Sequence, residues 1–177
     1  KSANRYHIPF GLTRAEKIRI KKIYTPDHSR DTWKEIPGVE YVEDIDDILK
    51  DEEIQAVILS TPHETHYSLA KRVLEAGKNC VSEKPFTETK AQAEELFALA
   101  KEKGLMMQCY QNRRFDSDFL TAQKVIESGK IGDVTEVEIS FDYYRPEVPQ
   151  GRAFHPFHSF LYGHACHTLD QVISYFG

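Results

Sequence analysis

The residues best suited to chemistry are Glu83-Lys84-Pro85, set directly after an apolar run that closes at Ser82. A lysine ammonium can donate a proton, and its pKa falls readily on partial burial, which suits it to work on a carbonyl or an alcohol. Pro85 removes a backbone donor and biases Lys84 toward an extended conformation, so the direction of the lysine side chain is restrained. The bland reading of this tripeptide is a surface lysine paired with its neighbouring glutamate, and only the flanking sequence decides against it. Thr61-Pro62 closes an earlier apolar run that ends at Ser60, and His63 and His66 follow. Gln111-Asn112-Arg113-Arg114-Phe115 closes a later run, and His167-Thr168-Leu169-Asp170 opens a helical pattern far along the chain.

These groups need elements to hold them. Asn4 to Ala15 reads as a helix carrying Tyr6, Phe10 and Leu12, weakened by Pro9 and Gly11. Ile18, Ile20 and Ile23 predict a strand ending near Tyr24, and Tyr41-Val42 a short one. Asp44 is placed to cap a helix through Lys50. Ala56 to Ser60 is a continuous apolar run of strand length, and helical spacing from Tyr67 to Leu74 then stops at Gly77. A strand is expected at 79–82, a helix capped by Thr87 and ending at Gly104, and a strand at 105–110. Strands alternating with helices imply right-handed crossovers and a parallel, doubly wound α/β sheet over residues 1–112. A lysine just after such a strand lies where open α/β sheets gather ligands, outside the strand's carboxyl end.

After Asn112 the pattern changes. Asp116 to Ser128 is helical, and Val134 to Phe141 alternates strictly between apolar and polar residues. That is a half-buried strand of antiparallel type, so residues 113–177 read as the beginning of a second, α+β domain.

Composition narrows the partners. The chain has 177 residues, 40% hydrophobic and 29% charged, with a formal charge of −5 and no basic block. Nucleic acid and anionic membrane surfaces are therefore poor partners, and no apolar run approaches the roughly 18 residues that span a bilayer. Cys80, Cys109 and Cys166 are odd in number and widely spaced, and Cys80 and Cys109 read as small buried hydrophobes. A reducing, cytoplasmic setting is expected.

Taken jointly, Glu75-Ala-Gly-Lys-Asn79 leading into Glu83-Lys84-Pro85-Phe86, Asn112-Arg113-Arg114-Phe115-Asp116 and Ile126-Glu-Ser-Gly-Lys-Ile-Gly132 make the chain resemble the glucose–fructose oxidoreductase family, which includes inositol 2-dehydrogenase. The resemblance runs over essentially the whole chain. It implies a Rossmann domain that binds NAD or NADP, then an α+β domain whose open sheet walls the substrate and joins subunits into a homo-oligomer. It implies hydride transfer at one carbon of a sugar, cyclitol or related polyol, a small-molecule substrate. Lys84 and His167 match the family's catalytic lysine and histidine. Thr61, Pro62 and His63 match the loop near the nicotinamide ribose and diphosphate, and Glu83 matches the residue that meets that ribose. Such a reaction requires the adjacent hydroxyl proton to leave, and a neutral imidazole or a lysine can take it.

Further cofactor contacts are expected from Lys1 and Ser2, from Tyr24 and Thr25 at the end of the second family strand, and from Ser60, His66 and Asn112. An acid at that strand end would favour NAD through the ribose 2′-OH. The nearest is Asp27, and the hydroxyl of Thr25 with His28 and Arg30 leaves room for a 2′-phosphate, a lean toward NADP. Lys1-Ser2 read as the last residues of a Gly-rich turn whose first strand is missing, and Phe176-Gly177 as a cut end. On that reading the 177 residues alone would not be a competent dehydrogenase.

Local alternatives stand beside this. Many family members carry an Asp four residues ahead of the histidine, whereas this chain has Gly163; Asp170 is a candidate substitute, and a non-catalytic dinucleotide or sugar sensor is the rival function. His155, His158, His164, Cys166 and His167 offer soft ligands for zinc, but their spacing matches no standard metal signature, so the other reading is a loop in which His167 alone has a chemical role. Tyr144 and Arg145 serve either a polyhydroxylated substrate or domain packing. His164 is a further substrate candidate; Arg113 and Arg114 hold either an anionic substrate group or acids across the domain boundary. The acidic run at 46–53 reads as a solvated helix end.

Overall fold

The computed structural model describes residues 3–26, 36–142, 144, 157 and 159–177. Its strands are β1 (Lys22–Tyr24), β2 (Glu40–Val42), β3 (Ala56–Leu59), β4 (Asn79–Ser82) and β5 (Met107–Cys109). Its helices are α1 (Ile8–Leu12), α2 (Asp46–Leu49), α3 (His66–Glu75), α4 (Lys90–Glu102), α5 (Ser117–Glu127) and α6 (Cys166–Phe176). Every ladder among the described residues is parallel: β1 with β2, β3 with β4 and β4 with β5. Parallel neighbours require crossovers, and α3 and α4 supply them, so the arrangement is Rossmann-like α/β.

The core lies on the helix-covered face of β3–β4–β5. Val57, Leu59, Cys80 and Met107 meet Ala70, Val73 and Leu74 of α3 and Leu96 and Ala100 of α4. Val73, Leu74, Cys80 and Leu96 have no exposed surface. Burying a side chain of the size of Leu74 or Leu96 contributes about 1.5–3 kcal/mol, so this cluster anchors the strand ends. Gly77 takes φ +76°, a left-handed conformation that a Cβ disfavours, and turns α3 directly into β4. Lys78 is buried, and its Nζ donates to Asp51 O at 2.7 Å and Ile54 O at 2.9 Å, tying the β3 entry to the β4 entry.

Several sequence expectations change. The strand expected at 18–24 forms only at Lys22–Tyr24, because Ile18 and Ile20 lead in without a partner strand. The five strands form two sheets, β1–β2 and β3–β4–β5, rather than one. β3 is buried on one face only: Ile58 is 50% exposed although its neighbours Val57 and Leu59 are buried. The first helix is a π-turn at Ala3–His7 running into the short α1, as Pro9 and Gly11 forewarned. The cap of α4 is Thr89, not Thr87: Thr89 Oγ1 accepts from Gln92 N–H at 3.3 Å, and Gln92 Oε1 accepts from Thr89 N–H at 3.4 Å, a reciprocal box. The alternating run at 134–141 pairs with no strand among the described residues, so the expected antiparallel ladder does not form there.

Candidate active site

The carboxyl ends of β3, β4 and β5 lie side by side, and α6 closes over them. Glu83 N–H donates to Leu59 O at 3.0 Å and Tyr110 N–H to Ser82 O at 2.8 Å, so the residues that follow each strand emerge together. Lys84 leaves the end of β4 and its Nζ donates to Gly163 O at 2.5 Å. That contact spans 79 residues of sequence and joins the strand end to the π-turn Leu161–Ala165 that leads into α6.

Glu83 is buried, and both of its oxygens are engaged. His7 Nε2 lies 2.9 Å from Oε1, and Oε2 accepts from the Lys84 backbone N–H at 3.2 Å. Burial by itself pushes the Glu83 carboxyl up, but the His7 hydrogen bond, the proximity of His7 and the Lys84 contacts together hold it below its ordinary value. His7 also packs against Tyr110, with ring centroids 4.5 Å apart. Sequence reasoning missed His7 and Tyr110: 76 residues separate His7 from Glu83, and no spacing rule links them.

His167, the second residue of α6, is buried at 5% exposure. Its Nδ1 is buried and has no hydrogen-bond partner among the described residues. Burial first, then the Lys84 and Arg113 cations and His164, lower its pKa to about 4. It is therefore a neutral imidazole at neutral pH. Lys84 thus acts on His167 electrostatically across this end of the sheet.

α6 is pinned to the turn Asn112–Phe115 that follows β5. Arg114 donates from Nε and Nη2 to the two oxygens of Asp170, both at 2.6 Å. Gln171 Nε2 donates to Arg113 O at 2.8 Å, and Gln111 Nε2 to Cys166 O at 3.4 Å. Asp170, a candidate carboxylate partner for His167 and Lys84, pairs instead with Arg114, whose planar fork matches both carboxylate oxygens. Arg113 pairs with Asp116 at 2.8 Å, and its guanidinium lies 4.9 Å from the Phe141 ring centre. Burial of the Cys109 thiol, with lesser effects from Cys166 and Asp170, raises it to about 12, an unreactive small hydrophobe.

The remaining candidates divide. Ser60 closes β3, and its buried Oγ has no partner among the described residues; Gln111 Oε1 is in the same condition. Thr61 Oγ1 accepts from Thr65 Oγ1 at 2.7 Å. His63 packs edge-on against Phe157 at 5.9 Å, and Asn112 opens its turn in a half-buried position. His66 departs from expectation. Its exposure is 0%, so it presents no surface to a ligand, and both ring nitrogens face backbone carbonyls. His164 stacks on Phe160 at 4.2 Å. Tyr144 is 94% exposed, which leaves no packing to direct it. Tyr24 and Thr25 stand at the end of β1 in the other sheet, half-buried. Lys1, Ser2 and Arg145 lie outside the described residues, as do Asp27, His28 and Arg30, the residues that bear on NAD against NADP. His155 and His158 also lie outside them, and among the described residues no cluster of three or more metal-ligating groups forms.

Comparison with known proteins agrees with this fold. Residues 2–111 match the family described as "Oxidoreductase family, NAD-binding Rossmann fold", and residues 119–177 match the GFO/IDH/MocA C-terminal domain. The chain is 48% identical over 181 residues to the uncharacterized oxidoreductase YhhX of Escherichia coli, covering 100% of this chain and 51% of that protein. It is 35% identical over 182 residues to scyllo-inositol 2-dehydrogenase (NADP(+)) IolW of Bacillus subtilis, covering 99% of this chain and 49% of that one. A crystal structure of an oxidoreductase from Bacillus cereus superimposes with a TM-score of 0.87 at 42% identity, covering 100% of this chain and 51% of the other. The chain thus spans about half the length of the curated relatives it matches. With its parallel strand ends, its lysine after β4 and its two matching family segments, the chain belongs to the GFO/IDH/MocA oxidoreductases with an NAD-binding Rossmann fold.

Proposed function

We propose that the protein containing this chain oxidises or reduces one carbon of a sugar, cyclitol or related polyol, with NADP or NAD as its redox partner and Lys84 and His167 at the reacting oxygen. The observation that carries this is the convergence of a neutral, buried His167 with Lys84 beyond the end of β4. When bound, the nicotinamide supplies the hydride chemistry. His167 accepts the hydroxyl proton of the alcohol on oxidation and returns it on reduction, a role its neutral state permits. Lys84 donates to the same oxygen in exchange for its bond to Gly163 O, and so favours the form with more charge on oxygen. Ser60 Oγ, Gln111 Oε1 and His167 Nδ1 are buried polar atoms without partners among the described residues. They suit ligands rich in hydroxyls, such as the ribose of a dinucleotide and a polyol.

On this reading Thr61, Pro62, His63, Glu83 and Asn112 border the nicotinamide half, and Tyr24 and Thr25 the adenosine half. The chain divides after residue 112 into a dinucleotide-binding domain and the beginning of a substrate domain. IolW carries NADP(+) in its name, which adds to the lean toward NADP drawn from Thr25, His28 and Arg30. The test is stopped-flow absorbance of the reduced nicotinamide with the full-length enzyme and a panel of polyols and keto sugars. Lys84→Met and His167→Ala should each lower turnover by about 10²–10⁴-fold, with dinucleotide affinity far less affected in His167→Ala. Normal turnover in both variants would remove this assignment.

One observation favours a second reading, a sensor that binds dinucleotide or sugar without turnover. The Lys84 ammonium is committed to the carbonyl of Gly163, where many relatives are expected to carry a carboxylate. Saturable dinucleotide binding with no turnover across the same panel would select it.

A further inference from the structure

We propose that His66 is a positioning residue: its buried ring holds the Thr61–Pro62 turn and the Lys84–Pro85 turn in fixed relation beyond the end of the sheet. Parallel pairing carries β3 and β4 together only as far as Glu83 N–H to Leu59 O, at 3.0 Å. Past that point no backbone hydrogen bond joins the two turns among the described residues. His66 spans the gap. Its Nδ1 lies 2.8 Å from Pro85 O and its Nε2 lies 3.1 Å from Thr61 O, with the ring fully buried.

The ring is held from behind. His66 is the first residue of α3, whose Ala70, Val73 and Leu74 have no exposed surface, so its backbone moves only with the core. Both partners of the ring are acceptors. A neutral imidazole donates to one at a time, and a doubly protonated ring donates to both. In every state the ring lies against both carbonyls and donates to at least one of the two turns that flank the proposed site. Thr61 Oγ1 accepts from Thr65 on the same turn, which stiffens that side of the link. The histidine therefore sets where Lys84 sits relative to the Thr61 turn, although it touches neither ligand.

The inference rests on the roles proposed above for Lys84 and the Thr61 turn. A plain core histidine would affect stability alone, whereas a strut with two separate ends has two separable effects. An asparagine amide nitrogen stands near the place of Nδ1, and a glutamine amide nitrogen near that of Nε2. His66→Asn therefore keeps a polar contact with Pro85 O and gives up the one with Thr61 O, and His66→Gln does the reverse. In the full-length enzyme His66→Gln should lower kcat by about 10-fold with the Kd for NADPH or NADH within about 2-fold of wild type. His66→Asn should weaken that Kd by about 10-fold with kcat within about 3-fold. His66→Phe, which retains neither bond, should show both losses. Equal losses in the asparagine and glutamine variants, or none, would overturn the proposal.

A measurement on the wild-type protein covers the case in which the variants do not fold. With ¹⁵N-labelled histidine, a His66 ring N–H should be visible by NMR, protected from solvent exchange, and shifted by saturating NADPH or NADH. A ring N–H in rapid exchange, or one blind to the dinucleotide, would also overturn it. Lys84→Met separates the two levels. Full activity in that variant would fail the catalytic reading, while an inactive Lys84→Met beside indistinguishable His66 variants would fail this inference alone.

Discussion

At the residue scale the site is built from groups whose properties are set by burial. His167 is the clearest. Its pKa is lowered from 6.5 to about 4, first by burial and then by Lys84, Arg113 and His164. The unfolded chain takes up its proton near 6.5, while the folded chain resists until about 4. Between those values the unfolded state holds more protons, so this contribution to stability is complete above 6.5 and is lost as pH falls toward 4. The loss is on the order of 3 kcal/mol. Urea unfolding followed across that window should show stability decreasing on acidification, and His167→Gln should flatten the slope; an unchanged slope would show that His167 is not buried neutral. Oxidation by the full-length enzyme should likewise keep its activity below the usual histidine range, with the acid limb of kcat/KM displaced toward 4. Glu83 illustrates the converse. Burial pushes its carboxyl up, and His7 with Lys84 bring it down, so a buried carboxylate remains charged beside the lysine.

At the element scale the important units are α4, which covers the sheet, and α6, which brings His167 to it. Thr89 and Gln92 close the start of α4 with reciprocal hydrogen bonds. Thr89→Ala should cost about 1 kcal/mol in chemical denaturation. Thr87→Ala should cost less, about 0.5 kcal/mol or below, since its hydroxyl makes only an exposed 2.9 Å bond to Thr89 O. A larger loss for Thr87 would reassign the cap. α6 is held by the two-pronged Arg114–Asp170 pair and by Gln171 on Arg113 O. The Arg114 side chain is 50% exposed, so solvent screens the pair even though Asp170 is 13% exposed. A double-mutant cycle of Arg114→Ala and Asp170→Ala should yield a coupling of about 1 kcal/mol. Its larger consequence is positional: with α6 loosened, the Lys84 bond to Gly163 O and the placement of His167 should degrade together, read as a fall in kcat in the full-length enzyme. A coupling near zero with unchanged kcat would mean that the helix is held by its packing alone.

At the scale of the whole molecule, the run at 134–141, which pairs with no strand among the described residues, matters most. Val134, Val137 and Ile139 are 37%, 44% and 37% exposed. Val134 and Val137, with Val125, Ile126 and Ile131, line a largely apolar groove of about 760 Å³ against α5. An alternating segment with an open apolar side is a template for pairing with another chain. The 177-residue polypeptide by itself should therefore self-associate with rising concentration in analytical ultracentrifugation, and Val137→Lys should reduce that association. Monomeric behaviour at all concentrations would show that the exposed edge is harmless. None of the helices among the described residues is long and apolar enough to cross a membrane.

The sequence by itself determined that the strands run parallel and, to within a residue, where β3, β4 and β5 end. These follow from local physics: apolar runs of strand length, and Gly77 after a helical period. Lys84 and His167 stand out through the resemblance of their surroundings to a family, not through any spacing rule. Charge and run length, properties of the chain alone, carry only the expectation that nucleic acid and anionic membranes are poor partners. Only the tertiary structure decided which groups pair. His7 with Glu83, Asp170 with Arg114 and His66 between two carbonyls are all contacts between distant segments or across turns. No periodicity encodes them, because they depend on which faces the core brings together. The same holds for the alternating run at 134–141. Its pattern prescribes which side chains share a face, but a strand exists only where a neighbour accepts its hydrogen bonds, and among the described residues none does.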